Sequence, residues 1–180
     1  MILLALGANL PSPAGPPRLT LEAALKRLRG AGVEIASRSR WYRSRAHPQS
    51  SQPDYVNGVI AVKTRLPPEG LLELMHKIEW DFGRRRGVAN AARMIDLDLL
   101  DYDGRINAGP AAPILPHPRL HERAFVLLPL VEIAPDWVHP VSRKSIGRLI
   151  AELPRDQTAM PLKGPPPKIP GFGPPARQNR

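Results

Sequence analysis

The sequence of 180 residues contains no cysteine, and this absence excludes three kinds of site. Disulfide bonds, thiolate metal sites and cysteine nucleophiles all need that side chain. A chain without cysteine also fits a cytosolic protein, so we expect a cytoplasmic location. Hydrophobic residues make up 42% of the chain, a content typical of a folded protein rather than of a disordered one.

Long apolar runs are also missing. The apolar start of the chain, residues 1–6, meets Gly7 and Pro11, so it is too short for a signal peptide or a membrane span and is predicted to be a buried strand. No other segment approaches about 18 uninterrupted apolar residues, the minimum for a transmembrane helix. We therefore expect no integral membrane protein and no membrane partner.

Several nucleotide-binding and hydrolase motifs are absent as well. The sequence has no G-x-x-x-x-G-K-[ST] loop, no G-x-G-x-x-G before a helix, no H-E-x-x-H and no G-x-S-x-G. A bound nucleotide would therefore be held by arginines and magnesium rather than by a glycine-rich loop. The net charge of +10 favours anionic ligands, but by itself it does not choose among nucleic acid, acidic lipid and polyphosphate.

Hydrophobic periodicity divides the chain into strands and helices. The predicted strands are 2–6, 33–42, 56–64 and 94–102, and the predicted helices are 18–29, 67–82, 123–133 with a break near Pro129, and 145–153. This order indicates an α+β sandwich with helices packed on a mixed, mostly antiparallel sheet. Residues 154–180 hold 8 of the 23 prolines, so we predict a domain over 1–153 and a disordered basic tail over 154–180.

An acidic pair lies inside the apolar segment 94–102. Side chains alternate along a β-strand, so Asp96 and Asp98 should share one face while Leu97 and Leu99 face the core. Two such carboxylates lie roughly 6–7 Å apart, which suits one or two Mg²⁺ ions bridged by phosphate oxygens. The alternative is a solvated strand face whose aspartates pair with nearby cations. Aspartate is a poor strand former, which favours the metal site.

Basic side chains flank the acidic pair. Arg84, Arg85 and Arg86 lie in residues 84–92, a segment without periodicity, and Arg93 follows it. Guanidinium groups bind phosphate oxygens bidentately and keep their charge at working pH, so the segment is typical of a lid over polyphosphate. An exposed basic loop or a nucleic-acid contact is the alternative.

Two further groups of residues have a possible binding role. Pro116 and Pro118 stiffen the backbone around His117, which favours a fixed side chain that donates to phosphate, although a lone histidine is more often structural. Tyr55 offers a ring for stacking on a flat heterocycle, and Asn57 offers an amide for its edge. A core tyrosine and a turn asparagine are the alternative for that pair.

Together these motifs resemble the 6-hydroxymethyl-7,8-dihydropterin pyrophosphokinase family of folate biosynthesis. The likeness spans roughly residues 2–153. It is carried by Leu6-Gly7-Ala8-Asn9-Leu10, Tyr42-Arg43-Ser44, Gln52-Pro53-Asp54-Tyr55-Val56-Asn57, Ile78-Glu79, Gly83-Arg84, Arg93-Met94-Ile95-Asp96-Leu97-Asp98, Pro116-His117-Pro118-Arg119-Leu120, Arg123-Ala124-Phe125 and Pro129-Leu130-Val131-Glu132-Ile133-Ala134-Pro135.

The resemblance implies a ferredoxin-like fold and transfer of the β,γ-pyrophosphate of ATP to the pterin hydroxymethyl oxygen, with release of AMP. It implies two Mg²⁺ ions, ATP as co-substrate, and a monomer whose partners are its small-molecule substrates. The residues it assigns are Asp96 and Asp98 to the metal, Glu79, Arg84, Arg93, His117 and Arg123 to ATP, with Arg84 and Arg93 as catalytic residues, and Tyr55, Asn57 and Phe125 to the pterin.

Two segments depart from the family pattern. Asn90-Ala91-Ala92 stands where the family usually carries Trp-Gly-Pro, and the lost tryptophan area predicts altered lid closure or ATP affinity. Ser44-Arg45-Ala46-His47 replaces the usual Thr/Ser-x-Pro-Val/Leu-Gly pattern, so Arg45 and His47 should change the pterin contacts of that loop. Neither departure touches the metal ligands.

Two other functions remain open at the level of sequence. Small, basic, ferredoxin-like domains often bind RNA through their sheet, but aromatic residues make up only 5% of this chain and no RNP1-like run occurs. A degenerate family member would bind pterin or nucleotide without catalysis. We expect the enzyme, and no nucleic-acid partner.

Overall fold

The computed structural model describes residues 1–46, 51–84, 92–109 and 113–163. The strands are β1 Ile2–Ala8, β2 Glu34–Arg38, β3 Tyr42–Ser44, β4 Tyr55–Lys63, β5 Asp96–Tyr102 and β6 Ala159–Pro161. The helices are α1 Pro17–Gly30, α2 Pro68–Asp81, α3 Ala124–Ile133 and α4 Ile146–Ala151. A 3₁₀ turn, Leu120–Glu122, precedes α3.

One sheet contains all of these strands, in the order β5-β1-β4-β3-β6, with β2 also paired to β4. Each of these pairs is antiparallel. β1 lies between β4 and β5, so Gly7 is in register with Asn57 on one side and with Asp96 on the other. Ala5 is likewise in register with Val59 and Asp98. The central strand therefore brings residues of two distant sequence segments into one row.

Helices cover both faces of the sheet. On one face, Leu4 and Leu6 belong to a core that also contains apolar side chains of α1 and α2. On the other face, Leu3 and Val59 pack in a second core with α3 and α4. This arrangement confirms the predicted α+β sandwich, because each face of an amphipathic sheet has to bury its apolar side chains against another element. None of the helices in the four described ranges is long and apolar enough to cross a bilayer.

The single strand predicted over 33–42 is wrong. The chain forms β2 and β3 instead, and both pair with β4. Between them, Ser39 Oγ accepts a hydrogen bond from Val59 N at 3.0 Å, so a side chain takes the place of a backbone acceptor. Trp41 crosses β4 at Gly58, where a Cβ atom would lie 2.7 Å from the indole ring. The missing side chain of this glycine creates the space that Trp41 fills.

The predicted break in the helix near Pro129 is also wrong. α3 runs through Pro129 without interruption. A proline removes one N–H donor from the helical ladder, but burial of Val126, Leu127 and Leu130 against the sheet supplies most of the stability of such a helix. Packing therefore outweighs the local preference of one residue.

The predicted disordered tail begins too early. Residues 159–161 form β6, which pairs with β3 through Tyr42–Pro161 and Ser44–Ala159. The ordered part of the chain thus extends past the predicted domain boundary at 153. Residues 164–180 lie outside the described residues, and a disordered tail over them stays a prediction.

A polar cluster joins α3 to the start of β3. Glu132 on α3 accepts hydrogen bonds from Arg40 Nη2 at 2.5 Å and from the Tyr42 hydroxyl at 2.6 Å, while its second oxygen accepts from Arg40 N at 2.9 Å. Burial and the neighbouring carboxylate raise the pKa of Tyr42 to about 12, so its hydroxyl remains a donor at neutral pH.

Glu132→Ala should destabilise the fold. Hydrogen bonds to a charged acceptor contribute more than neutral ones, so we expect a loss of about 2 kcal/mol in the free energy of unfolding, measured by urea titration. Glu34→Ala is the matched control, because the Glu34–Lys63 pair is exposed and should contribute less than about 1 kcal/mol. Equal losses in the two variants would contradict a structural role for the cluster.

Candidate functional site

β5 carries the acidic pair on the face that was predicted. Leu97 and Leu99 are buried in the core beneath α1 and α2, and strand alternation turns Asp96 and Asp98 to the opposite face. The side chain of Asp96 is 22% exposed and that of Asp98 is 29% exposed, so both carboxylates are accessible to a ligand. Their exposure is local to this part of β5, because Asp101 near its other end is only 3% exposed.

Three arginines and one histidine surround the two carboxylates. Asp96 Oδ1 accepts from Arg84 Nη1 at 2.6 Å, and its Oδ2 accepts from Arg93 Nη1 at 2.5 Å. Asp98 Oδ2 accepts from Arg123 Nη1 at 3.3 Å, and His117 Nε2 lies 3.9 Å from the same oxygen. The structure thus brings together, from separate segments of the chain, the three arginines and the histidine that the sequence assigns to the triphosphate.

His117 is held in one orientation by the backbone. Its backbone N–H donates to the Leu100 carbonyl at 2.8 Å, which attaches the segment to the outer edge of β5. Its ring Nδ1 accepts from Arg119 N at 3.1 Å, so the neutral tautomer carries its proton on Nε2, the nitrogen nearest Asp98. Burial, opposed by Asp98 but reinforced by Arg123 and Arg119, lowers the pKa of His117. A neutral ring with an N–H donor is therefore the form expected at pH 7.

Glu79 lies behind the arginines rather than on the cavity wall. It is 5% exposed, near the end of α2, and its Oε1 accepts from Leu97 N at 2.7 Å and from Arg84. Burial raises the pKa of Glu79 from its ordinary value of 4.5 to about 7, although Arg84 and the Leu97 N–H oppose this shift. The contact with ATP assigned to Glu79 stays a prediction. Because Glu79 accepts hydrogen bonds from both Arg84 and Leu97 N, it also holds Arg84 next to β5.

Glu79→Gln should change how stability depends on pH. The raised pKa means that the folded state keeps a proton that the unfolded state loses, so this contribution is complete below about pH 4.5 and is lost as pH rises through about 7. Between these two pH values, the free energy of unfolding should therefore fall by up to about 3 kcal/mol more in the wild type than in Glu79→Gln. Urea unfolding at both pH values measures the difference. Glu73→Gln, exposed on the same helix, is the control, and a parallel pH profile in wild type and Glu79→Gln would contradict the shift.

A cavity of about 810 Å³ opens beside the acidic pair. Its floor is formed by the small residues Ala5 and Gly7 of β1. Tyr55, Asn57 and Phe125, the three residues assigned to the pterin, line it together with the two aspartates. One cavity therefore brings aromatic and amide side chains next to the charged cluster.

Asn57 presents its acceptor to this cavity. Its Nδ2 donates to Ser44 Oγ at 2.8 Å, and both residues are buried. The other amide atom, Oδ1, lies above Gly7, where an added Cβ atom would approach it to 2.9 Å. Asn57 can thus accept a hydrogen bond from an N–H group of a bound ring, and Ser44 holds it in that orientation.

Asn9 connects the two ends of the cavity. Its Oδ1 accepts from Arg93 N at 2.7 Å, and its Nδ2 donates to Gln52 Oε1 and to the Pro53 carbonyl, both at 3.2 Å. The Tyr55 hydroxyl donates to the same Gln52 oxygen at 3.3 Å. One buried amide therefore fixes both an arginine at the charged cluster and the loop that carries the aromatic wall.

Charge of both signs lines the cavity. Five cationic side chains and four carboxylates face it within the described residues, namely Arg45, Arg93, Arg119, Arg123 and Lys144 against Asp96, Asp98, Glu122 and Glu152. No cluster of three or more His, Cys, Asp or Glu side chains that could hold a metal occurs in the described part of the chain. The pair of aspartates fits Mg²⁺ as two hard oxygen donors whose coordination is completed by water and phosphate oxygens.

The structure places the predicted site residues in two layers. Seven of them line the cavity, and Glu79, Arg84 and His117 lie outside its wall, connected to it through Asp96 and Asp98.

Two cavity-lining residues, Gly7 and Gln157, received no role from the sequence. The alternation Ala5-Leu6-Gly7 signals a floor of small residues, whereas nothing in the sequence signals Gln157. Arg85, Arg86, His47 and the Asn90-Ala91 part of the altered lid segment lie outside the described residues.

Comparison with known proteins identifies the family. The model of the 7,8-dihydro-6-hydroxymethylpterin-pyrophosphokinase (HPPK) family matches residues 3–135, which include all ten predicted site residues. The chain belongs to this family. The family resemblance stated from the sequence is therefore confirmed.

Two bacterial relatives match most of the chain. The 2-amino-4-hydroxy-6-hydroxymethyldihydropteridine pyrophosphokinase of Synechocystis sp. is 42% identical over 152 residues, covering 84% of this chain and 75% of the relative. The protein of the same name from Methylorubrum extorquens is 36% identical over 151 residues, covering 83% of this chain and 91% of the relative. The pyrophosphokinase domain thus accounts for most of both of these proteins.

Some HPPK relatives are much longer. The folic acid synthesis protein fol1 of Pneumocystis carinii is 37% identical over 146 residues, but this chain corresponds to only 19% of its length. A crystal structure of an HPPK-DHPS in complex with substrates superposes with a TM-score of 0.62 at 13% identity, covering 83% of this chain and 42% of that one. At this identity the likeness supports the fold alone, and it agrees with the predicted sandwich.

Proposed function

We propose that this HPPK family member transfers the β,γ-diphosphate of ATP to the hydroxymethyl group of 6-hydroxymethyl-7,8-dihydropterin and releases AMP, as a step of folate biosynthesis. The observation that carries the proposal is a single cavity with Asp96, Asp98 and Arg123 at its charged wall and Tyr55 and Asn57 at its other wall. A donor and an acceptor that bind at these two walls meet side by side.

Magnesium is the metal that fits the donor set, and Asp96 and Asp98 would hold it. When bound, such an ion supplies charge neutralisation at the phosphate oxygens. We propose two ions, as the family resemblance implies, and ATP as the co-substrate; the two carboxylates by themselves suit either one ion or two. Arg84 and Arg93, on either side of Asp96, would act as the catalytic arginines.

The chemistry needs positioning more than covalent assistance. The hydroxymethyl oxygen attacks the β-phosphorus, the bond from that phosphorus to the oxygen shared with the α-phosphate breaks, and AMP leaves with the electron pair. The hydroxyl proton passes to solvent. Arg93 and Arg123 line the cavity, so they would face the phosphate oxygens whose charge increases. The neutral His117, which lies behind Asp98, would donate from Nε2 towards the same group of charges. Tyr55, Asn57 and Phe125 orient the pterin so that its oxygen lies in line with the breaking bond.

The test is an assay of AMP release with the full chain. We expect AMP and the pterin diphosphate to form in equal amounts, only when ATP, hydroxymethyldihydropterin and Mg²⁺ are all present. EDTA should abolish the reaction and added Mg²⁺ should restore it. Normal pterin binding without any AMP would instead identify a non-catalytic family member, and salt-sensitive RNA binding in EDTA without ATP consumption would identify an RNA-binding module.

We also propose a monomer in the cytoplasm whose partners are its two small-molecule substrates, without a nucleic-acid or membrane partner. All ten predicted site residues come from one chain and converge on one cavity or on its immediate supports, so the site needs no second copy. The absence of cysteine agrees with a reducing compartment. Light scattering of the full chain at two concentrations, with and without substrates, tests the monomer.

A further inference from the structure

The segment 154–162 lies beyond the part of the chain that matches the HPPK family model, yet it contacts the site. Pro154 and Gln157 line the cavity. A few residues further on, Ala159 is in register with Ser44, the residue that holds Asn57. The same short segment therefore touches the cavity wall at one position and supports the Asn57 side at another.

Gln157 binds the backbone at the start of α3 with both ends of its amide. Its Oε1 accepts from Ala124 N at 3.0 Å, and its Nε2 donates to the Glu122 carbonyl at 2.7 Å. Ala124 is the first residue of α3, and the first N–H groups of a helix have no partner within the helix. The N-cap residue, Arg123, provides no side-chain cap of its own. Gln157 thus supplies, from 33 residues away in sequence, the cap that the helix lacks.

The two hydrogen bonds enclose Arg123. This residue lies between Glu122 and Ala124, its Nη1 donates to Asp98 Oδ2 at 3.3 Å, and its guanidinium lies 5.4 Å from the centre of the Phe125 ring. A clamp on both neighbouring backbone groups sets where the side chains of Arg123 and Phe125 leave the main chain. One residue on the charged wall and one on the aromatic wall therefore depend on the same amide.

We propose that Gln157 is a positioning residue of the pyrophosphokinase site, which holds Arg123 against Asp98, the carboxylate assigned to the metal, and Phe125 against the pterin. This proposal rests on the proposed function. It assigns a role in the reaction to the segment after α4, which the sequence pattern assigns to a tail.

The experiment compares three variants of the full chain at a temperature where circular dichroism shows each one folded. Gln157→Ala removes both hydrogen bonds and should lower kcat/KM for the pterin about tenfold, with Kd rising for both the pterin and a non-hydrolysable ATP analogue. It should also lower Tm by a few degrees, since the helix loses its cap. Asp156→Ala, an exposed neighbour, is the matched control and should behave as wild type.

Gln157→Glu separates positioning from stability. Its carboxylate still accepts from Ala124 N and suits a helix N-terminus, so Tm should stay close to that of the wild type. It cannot donate to the Glu122 carbonyl, which it repels, so kcat/KM should still fall several-fold. Wild-type kinetics in Gln157→Glu, or in Gln157→Ala despite its lower Tm, would overturn the positioning role. If Gln157→Ala does not fold, the kinetics of Gln157→Glu decide the question alone. Absence of AMP release in the wild type would instead refute the proposed function.

Discussion

Asp98→Asn is expected to lower kcat by about three orders of magnitude, equivalent to about 4 kcal/mol of transition-state stabilisation. Asparagine keeps the shape of the side chain but removes the charge that would attract a cation. Asp98 is the more open of the two carboxylates, since its contacts with Arg123 and His117 are 3.3 and 3.9 Å long. The measurement is the rate of AMP formation over a series of Mg²⁺ concentrations, and its midpoint should move to higher Mg²⁺.

The matched control for Asp98→Asn is Asp103→Asn. Asp103 follows the same strand, but its carboxylate is exposed and binds the N-terminal ammonium of Met1. It should leave both kcat and the Mg²⁺ midpoint unchanged. Asp96→Asn should lower kcat by a factor similar to that of Asp98→Asn. In addition, Arg84 and Arg93 lose the charged acceptor that they share. Near-full activity with an unchanged midpoint in both variants would rule out the metal assignment.

Gly7→Val is expected to lower kcat/KM by at least about 10²-fold, mainly through a higher KM for the pterin. Gly7 lies in the row Asn57–Gly7–Asp96 on the cavity floor, and even a methyl group there would lie 2.9 Å from Asn57 Oδ1. The valine side chain would occupy the space beneath the bound ring and push the amide away from Ser44. Valine is a good strand former, so β1 should still fold. Steady-state kinetics measures the expected rise in KM for the pterin, and a thermal melt checks that the variant still folds.

Gly58→Ala is the matched control on the opposite face of the sheet. Gly58 is in register with Leu6, next to Gly7, but a Cβ atom there would meet the Trp41 ring at 2.7 Å. We expect a loss of about 1–3 kcal/mol in the free energy of unfolding from overpacking, with KM for the pterin unchanged. The two glycines should thus separate binding from stability. An unchanged KM in Gly7→Val would mean that the pterin does not lie over β1.

Local sequence was sufficient for the acidic strand and for most of its surroundings. The alternation Asp96-Leu97-Asp98-Leu99 requires only the period-two geometry of a strand, so the shared face of the aspartates followed without tertiary information. Arg93 and Arg84 are close in sequence, and their meeting at Asp96 needed only that α2 end near residue 82. The same reasoning failed for residues 33–42, where alternation continues past Ser39 although the chain leaves the ladder to carry Trp41 over Gly58.

Sequence also overstated the effects of proline. Pro129 predicted a break in α3, and the prolines after residue 153 predicted disorder, yet α3 is continuous and residues 159–161 pair with β3. Both errors have one cause. Proline content reports local preference, whereas burial on the sheet and pairing with an available edge depend on partners that are distant in sequence.

The sequence by itself determined the α+β class, the acidic pair and the family, because each is written in short-range periodicity or in contiguous motifs. Only the tertiary structure decided which groups meet. It placed Arg123 and His117 at Asp98, put Gly7 between Asn57 and Asp96, buried Glu79 until its pKa rises to about 7, and brought Gln157 to the start of α3. These outcomes follow from strand register and helix docking, and both are set by burying apolar surface over the whole chain.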